Sequence, residues 1–112
     1  MNDELKRKWI STLERLRYGV TRREPLQAHK EYGTHRAVDV TLDDSGQIRL
    51  VVTRQMGETQ NLKRKSSTGR EYQIFNERNA VTMINYHLQD DDDLGAVLTE
   101  MEQQAQNINE IG

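Results

Sequence analysis

The stretch AVDVTLDDSGQIRLVVTR, residues 37–54, decides the fold. Val38, Val40 and Leu42 alternate with polar residues, DDSG follows, and Ile48, Leu50 and Val52 alternate again. That is the period of two half-buried strands joined by a short turn. Pairing Leu42 with Gln47 would set Val40 opposite Arg49 on one face. One more loop residue sets Leu42 opposite Ile48, Val40 opposite Leu50 and Val38 opposite Val52, and the apolar faces select this second register. It requires a bulged turn with a left-handed residue, a conformation Gly46 adopts without a Cβ clash. Asp39, Thr41, Arg49 and Thr53 then share the outer face, where Val51 is the one large apolar residue.

Working outward, a third strand is predicted in REYQIF, residues 70–75, with Tyr72 and Ile74 in phase. Between it and the hairpin lies QMGETQNLKRKSSTG, residues 55–69, in which Met56 and Leu62 are the only large apolar residues. A segment of that composition cannot bury itself and reads as a long, mobile, basic loop. Beyond it, Asn76 is placed to cap a helix running to about Leu88, with Ala80, Met83, Ile84 and Leu88 on one face. A last helix carries Leu94, Val97, Leu98, Met101, Ala105 and Ile108 in one stripe, with Asp92 or Asp93 as its cap. Its other side holds the amides of Gln103, Gln104, Gln106, Asn107 and Asn109 together with Glu100 and Glu102.

Upstream of the hairpin, Leu5, Trp9, Leu13, Leu16 and Val20 recur at steps of three and four, predicting a first helix that Asn2 or Asp3 caps and Gly19 ends. Residues 21–34, around Pro25, read as a connection, with LQAHKEYG (26–33) as an alternative edge strand. The expectation is therefore a single α+β domain over residues 1–112, in the order α-β-β-β-α-α. Helices cover one face of an antiparallel sheet of three strands, or four with the added edge.

The formal net charge of −2 conceals a dipole along the chain: residues 1–70 carry +6 and residues 71–112 carry −8. A basic half of that kind suits a polyanion, and equally an acidic half of another molecule. The absence of cysteine excludes disulfides, thiol catalysis and Cys-based zinc sites. The polar opening NDELKRK and the lack of long apolar runs predict neither a leader nor a membrane span, hence a cytoplasmic protein.

The chemistry-bearing patterns point away from an enzyme. QDDDDLG (89–95) fails as a calcium loop, since with Asp90 and Asp92 as the first and third ligands Leu94 falls on a ligand position and Met101 where the bidentate glutamate belongs. His29, His35 and His87 show no zinc spacing, and no phosphate-binding glycine loop or nucleophile elbow is present, so no metal, cofactor or catalytic residue is assigned. The leading expectation is a non-enzymatic binding module that meets nucleic acid or a ribonucleoprotein through Lys63, Arg64, Lys65 and Arg70, with Arg22, Arg23, Lys6 and Arg7 extending the basic surface. The alternative is a protein-interaction or inhibitor module, or a homodimer, acting through Glu102, Gln103, Gln106 and Asn107 on the acidic, amide-rich C-terminal side.

Overall fold

The computed structural model describes residues 3–65 and 71–111, with side-chain surroundings for 3–55 and 79–110. Helix α1 (Asp3–Arg15) leads into five strands, β1 (Gly19–Arg23), β2 (Leu26–Tyr32), β3 (Arg36–Leu42), β4 (Gln47–Lys65) and β5 (Glu71–His87), and helix α2 (Leu94–Ile111) follows. The strands form one antiparallel meander in the order β1-β2-β3-β4-β5. The α+β class holds; the sheet has five strands and the described residues form two helices.

The β3–β4 pairing is Val38 with Val52, Val40 with Leu50 and Leu42 with Ile48, as the alternating faces require. Gly46 takes a φ of 91° in the turn, and the Asp43 carboxylate accepts bonds from the Ser45 and Gln47 amides and the Ser45 hydroxyl. The inner face supplies Leu26, Ala28, Val38, Val40, Leu42, Ile48, Leu50 and Val52 to the core, and the helices add Trp9, Leu13, Leu94, Leu98, Met101 and Ala105. Asp93 caps α2, its carboxylate accepting from the Ala96 amide at 3.0 Å.

Four expectations need correction. The stretch read as a connection holds two strands, β1 and β2 (Leu26–Tyr32); the alternative of a strand at 26–33 holds, but it lies inside the sheet, with β1 as the edge. The expected helix over 76–88 is part of β5: Ala80, Thr82, Ile84 and Tyr86 fall opposite Arg54, Val52, Leu50 and Ile48 on the inner face. Ala80, Met83, Ile84 and Leu88 satisfy a helical period by coincidence, because Val81 and Met83 on the outer face are apolar too. The expected loop over 55–69 is strand through Lys65, and residues 66–70 lie outside the described residues.

The fourth concerns the end of α1, which stops at Arg15 rather than at Gly19. Arg17, at φ 72°, occupies the left-handed position; its amide donates to Glu14 O, and the Tyr18 amide to Leu13 O, both at 2.9 Å. This is the paired closure of a Schellman turn with arginine in glycine's usual place. It delivers Tyr18 into the core. Leu5, in the first turn of α1, is exposed, and Val20 belongs to β1.

Candidate nucleic-acid interface

Strands β4 and β5 are far longer than their neighbours. The last β3–β4 pair is Arg36 with Arg54, and beyond it the pairing of β4 runs from Gln55 to Lys65 with β5 alone. Eleven residues at about 3.3 Å each extend the ribbon roughly 36 Å past the sheet. The longest axis of the molecule is correspondingly 65 Å against 29 and 21 Å for the others. A register shift of the β4–β5 pairing falls between Met56 and Gln60, where three β4 residues face one on β5. Bulges of this kind bend and twist a ribbon.

The root of the ribbon is held by the end of α2. Asn109 is 2% exposed, and its Nδ2 donates to Ala80 O at 2.9 Å, Thr82 Oγ1 at 3.2 Å and Val52 O at 3.3 Å. Arg54 in turn donates through Nη2 to the Asn109 carbonyl at 2.7 Å and through Nε to Asn109 Oδ1 at 3.3 Å. One residue on, Glu110 receives a two-pronged bond from Arg36, which holds its carboxyl below the usual carboxylate range; Arg54 Nε lies 3.9 Å from it. Helix end, β3, β4 and β5 are thereby joined where the ribbon leaves the body.

Of the predicted site residues, Lys63, Arg64 and Lys65 stand at the distal end of β4, paired in register with Gln73, Tyr72 and Glu71. Arg70 lies outside the described residues. Arg22 and Arg23 are on β1, the opposite edge, and Arg23 aligns through Leu26 and Leu42 with Ile48. Fifteen residues of β4 separate that level from Lys63, roughly 50 Å. The two cationic groups are therefore not one surface. Lys6 is further engaged by Glu24 at 3.7 Å, and Arg22 donates to the Glu24 carbonyl at 3.0 Å, while Arg7 and Arg23 are exposed.

The C-terminal amides are rearranged as well. Glu102 does not face solvent with them: it accepts from the Tyr18 hydroxyl at 3.0 Å and pairs with Lys30, whose ammonium lies 4.5 Å from the Tyr18 ring centroid. Burial first, and then the Glu102 charge, push the Tyr18 phenol far above its usual range. Gln103 donates to Asn107 at 3.1 Å on the exposed side, and Gln106 is half-buried. Gln103 also borders an open groove of about 690 Å³ between the end of α1 and the start of α2, with Arg15, Leu16 and Thr99.

Of the residues that fix the ribbon's root, Arg54 was not singled out by sequence reasoning, and Asn109, expected on the outer amide face of the last helix, is instead buried against the sheet. The available signal was the step of four from Met101 through Ala105 to Asn109, which continues the buried stripe into an amide. No protein-family model, curated protein or solved structure matches the chain. No helix among the described residues is long and apolar enough to cross a membrane.

Proposed function

We propose that the β4–β5 ribbon is a nucleic-acid-binding arm, with Lys63, Arg64 and Lys65 meeting phosphates and the helix-backed sheet serving as its mount. The observation that carries the reading is a two-stranded ribbon, paired with no other strand beyond Gln55, whose β4 strand ends in three successive cations. A ribbon of two strands matches the width of the B-DNA major groove. An isolated two-stranded hairpin gains little stability by itself, so a ribbon of this length suits an element completed by a ligand. Phosphate contacts position such a protein without reading bases, so binding is expected to be largely indifferent to sequence.

The test is fluorescence anisotropy of a labelled duplex and a labelled single strand across a salt series, for the parent and for the triple variant Lys63→Ala, Arg64→Ala, Lys65→Ala. Three neutralised phosphates correspond to a slope of about −2.7 in log K against log salt on duplex DNA, and about −2.1 on a single strand. The triple variant should lose most of that slope. Equal slopes for the two proteins would contradict the reading.

A further inference from the structure

The two edges of the sheet are built differently. At one edge, β1 is five residues long, has a register irregularity between Val20 and Arg22, and ends in Arg22 and Arg23, with Glu24 and Pro25 in the turn that follows. Short length, a bulge, arginines and a proline are the devices by which an edge strand avoids pairing with another chain. At the other edge, β5 over residues 79–87 reads NAVTMINYH, with no Lys, Arg, Asp, Glu, Pro or Gly, and its pairing with β4 is unbroken there. That edge carries none of these protections.

The backbone of β5 shows which groups it offers. Asn109 Nδ2 reaches both Val52 O and Ala80 O, so these carbonyls share the β4–β5 seam, and the Leu88 amide donates back to Gly46 O at 2.9 Å. Even-numbered residues of β5 therefore bond to β4, and by the alternation of antiparallel ladders Asn79, Val81, Met83, Asn85 and His87 direct their N–H and C=O groups outward. The side chains beside those groups are apolar where a monomer has no use for it: Val81 is 60% exposed and Met83 52%.

We infer that this edge pairs antiparallel with β5 of a second copy, about a two-fold axis at Thr82, joining two sheets into one of ten strands. Outward groups meet outward groups only if the axis passes at a residue rather than between two. Of such registers, the one centred on Thr82 sets Val81 opposite Met83 of the second copy, Met83 opposite its Val81, and Ala80 opposite its Ile84. Moving the axis to Val81 places Met83 against Asn79, and moving it to Met83 places Val81 against Asn85. Because residues 79–87 carry no formal charge at neutral His87, self-pairing sets no like charges against one another.

Helix α2 supports the same axis independently. Glu102 and Glu110 face β2 and β3 through Lys30 and Arg36, so Ile108, on the opposite flank of the helix, overhangs the β5 edge, and it is 55% exposed. Its neighbour Asn109 contacts Thr82 and Ala80, which sets Ile108 at the level of the axis. A two-fold axis normal to the sheet brings the two Ile108 side chains toward each other. It also directs the two ribbons to opposite ends of the assembly, whatever they bind.

The test is sedimentation velocity of the full chain over a concentration series, with two variants. The parent is expected to run as two chains of 13.1 kDa at micromolar concentration. Val81→Lys with Met83→Lys, both on the exposed face, is expected to keep a cooperative melt and weaken dimerisation at least about 100-fold. The chain has no cysteine, so Thr82→Cys offers a single thiol; its Cα would lie about 4.5 Å from its mate in a non-hydrogen-bonded pair, within disulfide reach. Oxidation should then give a covalent dimer. A parent that stays monomeric at 100-fold higher concentration would overturn the inference, as would a double-lysine variant that remains dimeric or a Thr82→Cys chain that does not cross-link.

Discussion

Arg17 and Asn109 affect stability in opposite directions through their local chemistry. Arg17 closes α1 in a left-handed conformation at φ 72°. An L-residue with a Cβ is disfavoured there by roughly 1–2 kcal/mol, part of which glycine returns through its greater freedom in the unfolded chain. Arg17→Gly should therefore raise stability by about 0.5–1 kcal/mol in a urea melt. Asn109 acts oppositely, since its buried amide serves two carbonyls and a hydroxyl while accepting from Arg54. Asn109→Leu should lower stability by about 2–3 kcal/mol, through donors and acceptors left without partners at the ribbon's root. Gln103→Lys, on the exposed side of the same helix, should change it by no more than about 0.5 kcal/mol.

Among the elements, the β3–β4 hairpin and the ribbon stand in contrast. Leu50 is fully buried opposite Val40, so Leu50→Asp should abolish the cooperative melt, because an unpaired carboxylate there costs several kcal/mol, roughly 2–5. Replacing residues 57–77 by Asn-Gly, between the paired Met56 and Arg78, should shift the body's stability by less than about 1 kcal/mol, since the ribbon beyond Gln55 pairs with no third strand. The same contrast explains what could be read in advance. In β3 and β4 each apolar side chain faces one layer and each polar one the other, so period and register followed from the residues alone. In β5 apolar residues stand on both faces, Ile84 inside and Val81 and Met83 outside, and the period of two is erased. Lys63, Arg64 and Lys65 read as loop because nothing in their composition reveals that a partner strand begins six residues on, at Glu71. On α2, Ile108 and Asn109 exchanged their expected faces, because the buried stripe continued by steps of four rather than by hydrophobicity.

For the whole molecule, the carboxyls of Asp43, Asp92 and Glu110 are held below their ordinary range, by the Ser45 hydroxyl, the Tyr86 hydroxyl and the Arg36 guanidinium respectively. Tyr86 and Tyr18 are shifted upward, by the bond to Asp92 and by burial. A lowered folded pKa contributes stability that is present above the unfolded value near 4 and is lost as pH falls through the folded one. A raised tyrosine contributes stability that is present below about 10 and is lost at higher pH. The urea midpoint should thus fall as pH drops below about 4 and as it rises above about 10, and Glu110→Gln should make the acid limb shallower.

At this scale the charge dipole also acquires a shape. Lys63, Arg64 and Lys65 stand at the far end of a 65 Å molecule, whereas Asp90, Asp91, Asp92 and Asp93 sit between β5 and α2 at the other end of the sheet. On the proposed function, a polyanion approaching such a molecule should be drawn to the ribbon and repelled by the base of the body. The most direct measurement is anisotropy of a labelled duplex at low and moderate salt for the parent and for the chain with 57–77 replaced by Asn-Gly. The account predicts salt-sensitive binding by the parent and at least a 30-fold weaker affinity for the trimmed but folded chain, about 2 kcal/mol. Equal affinity of the two proteins, or no binding by the parent at low salt, would contradict it.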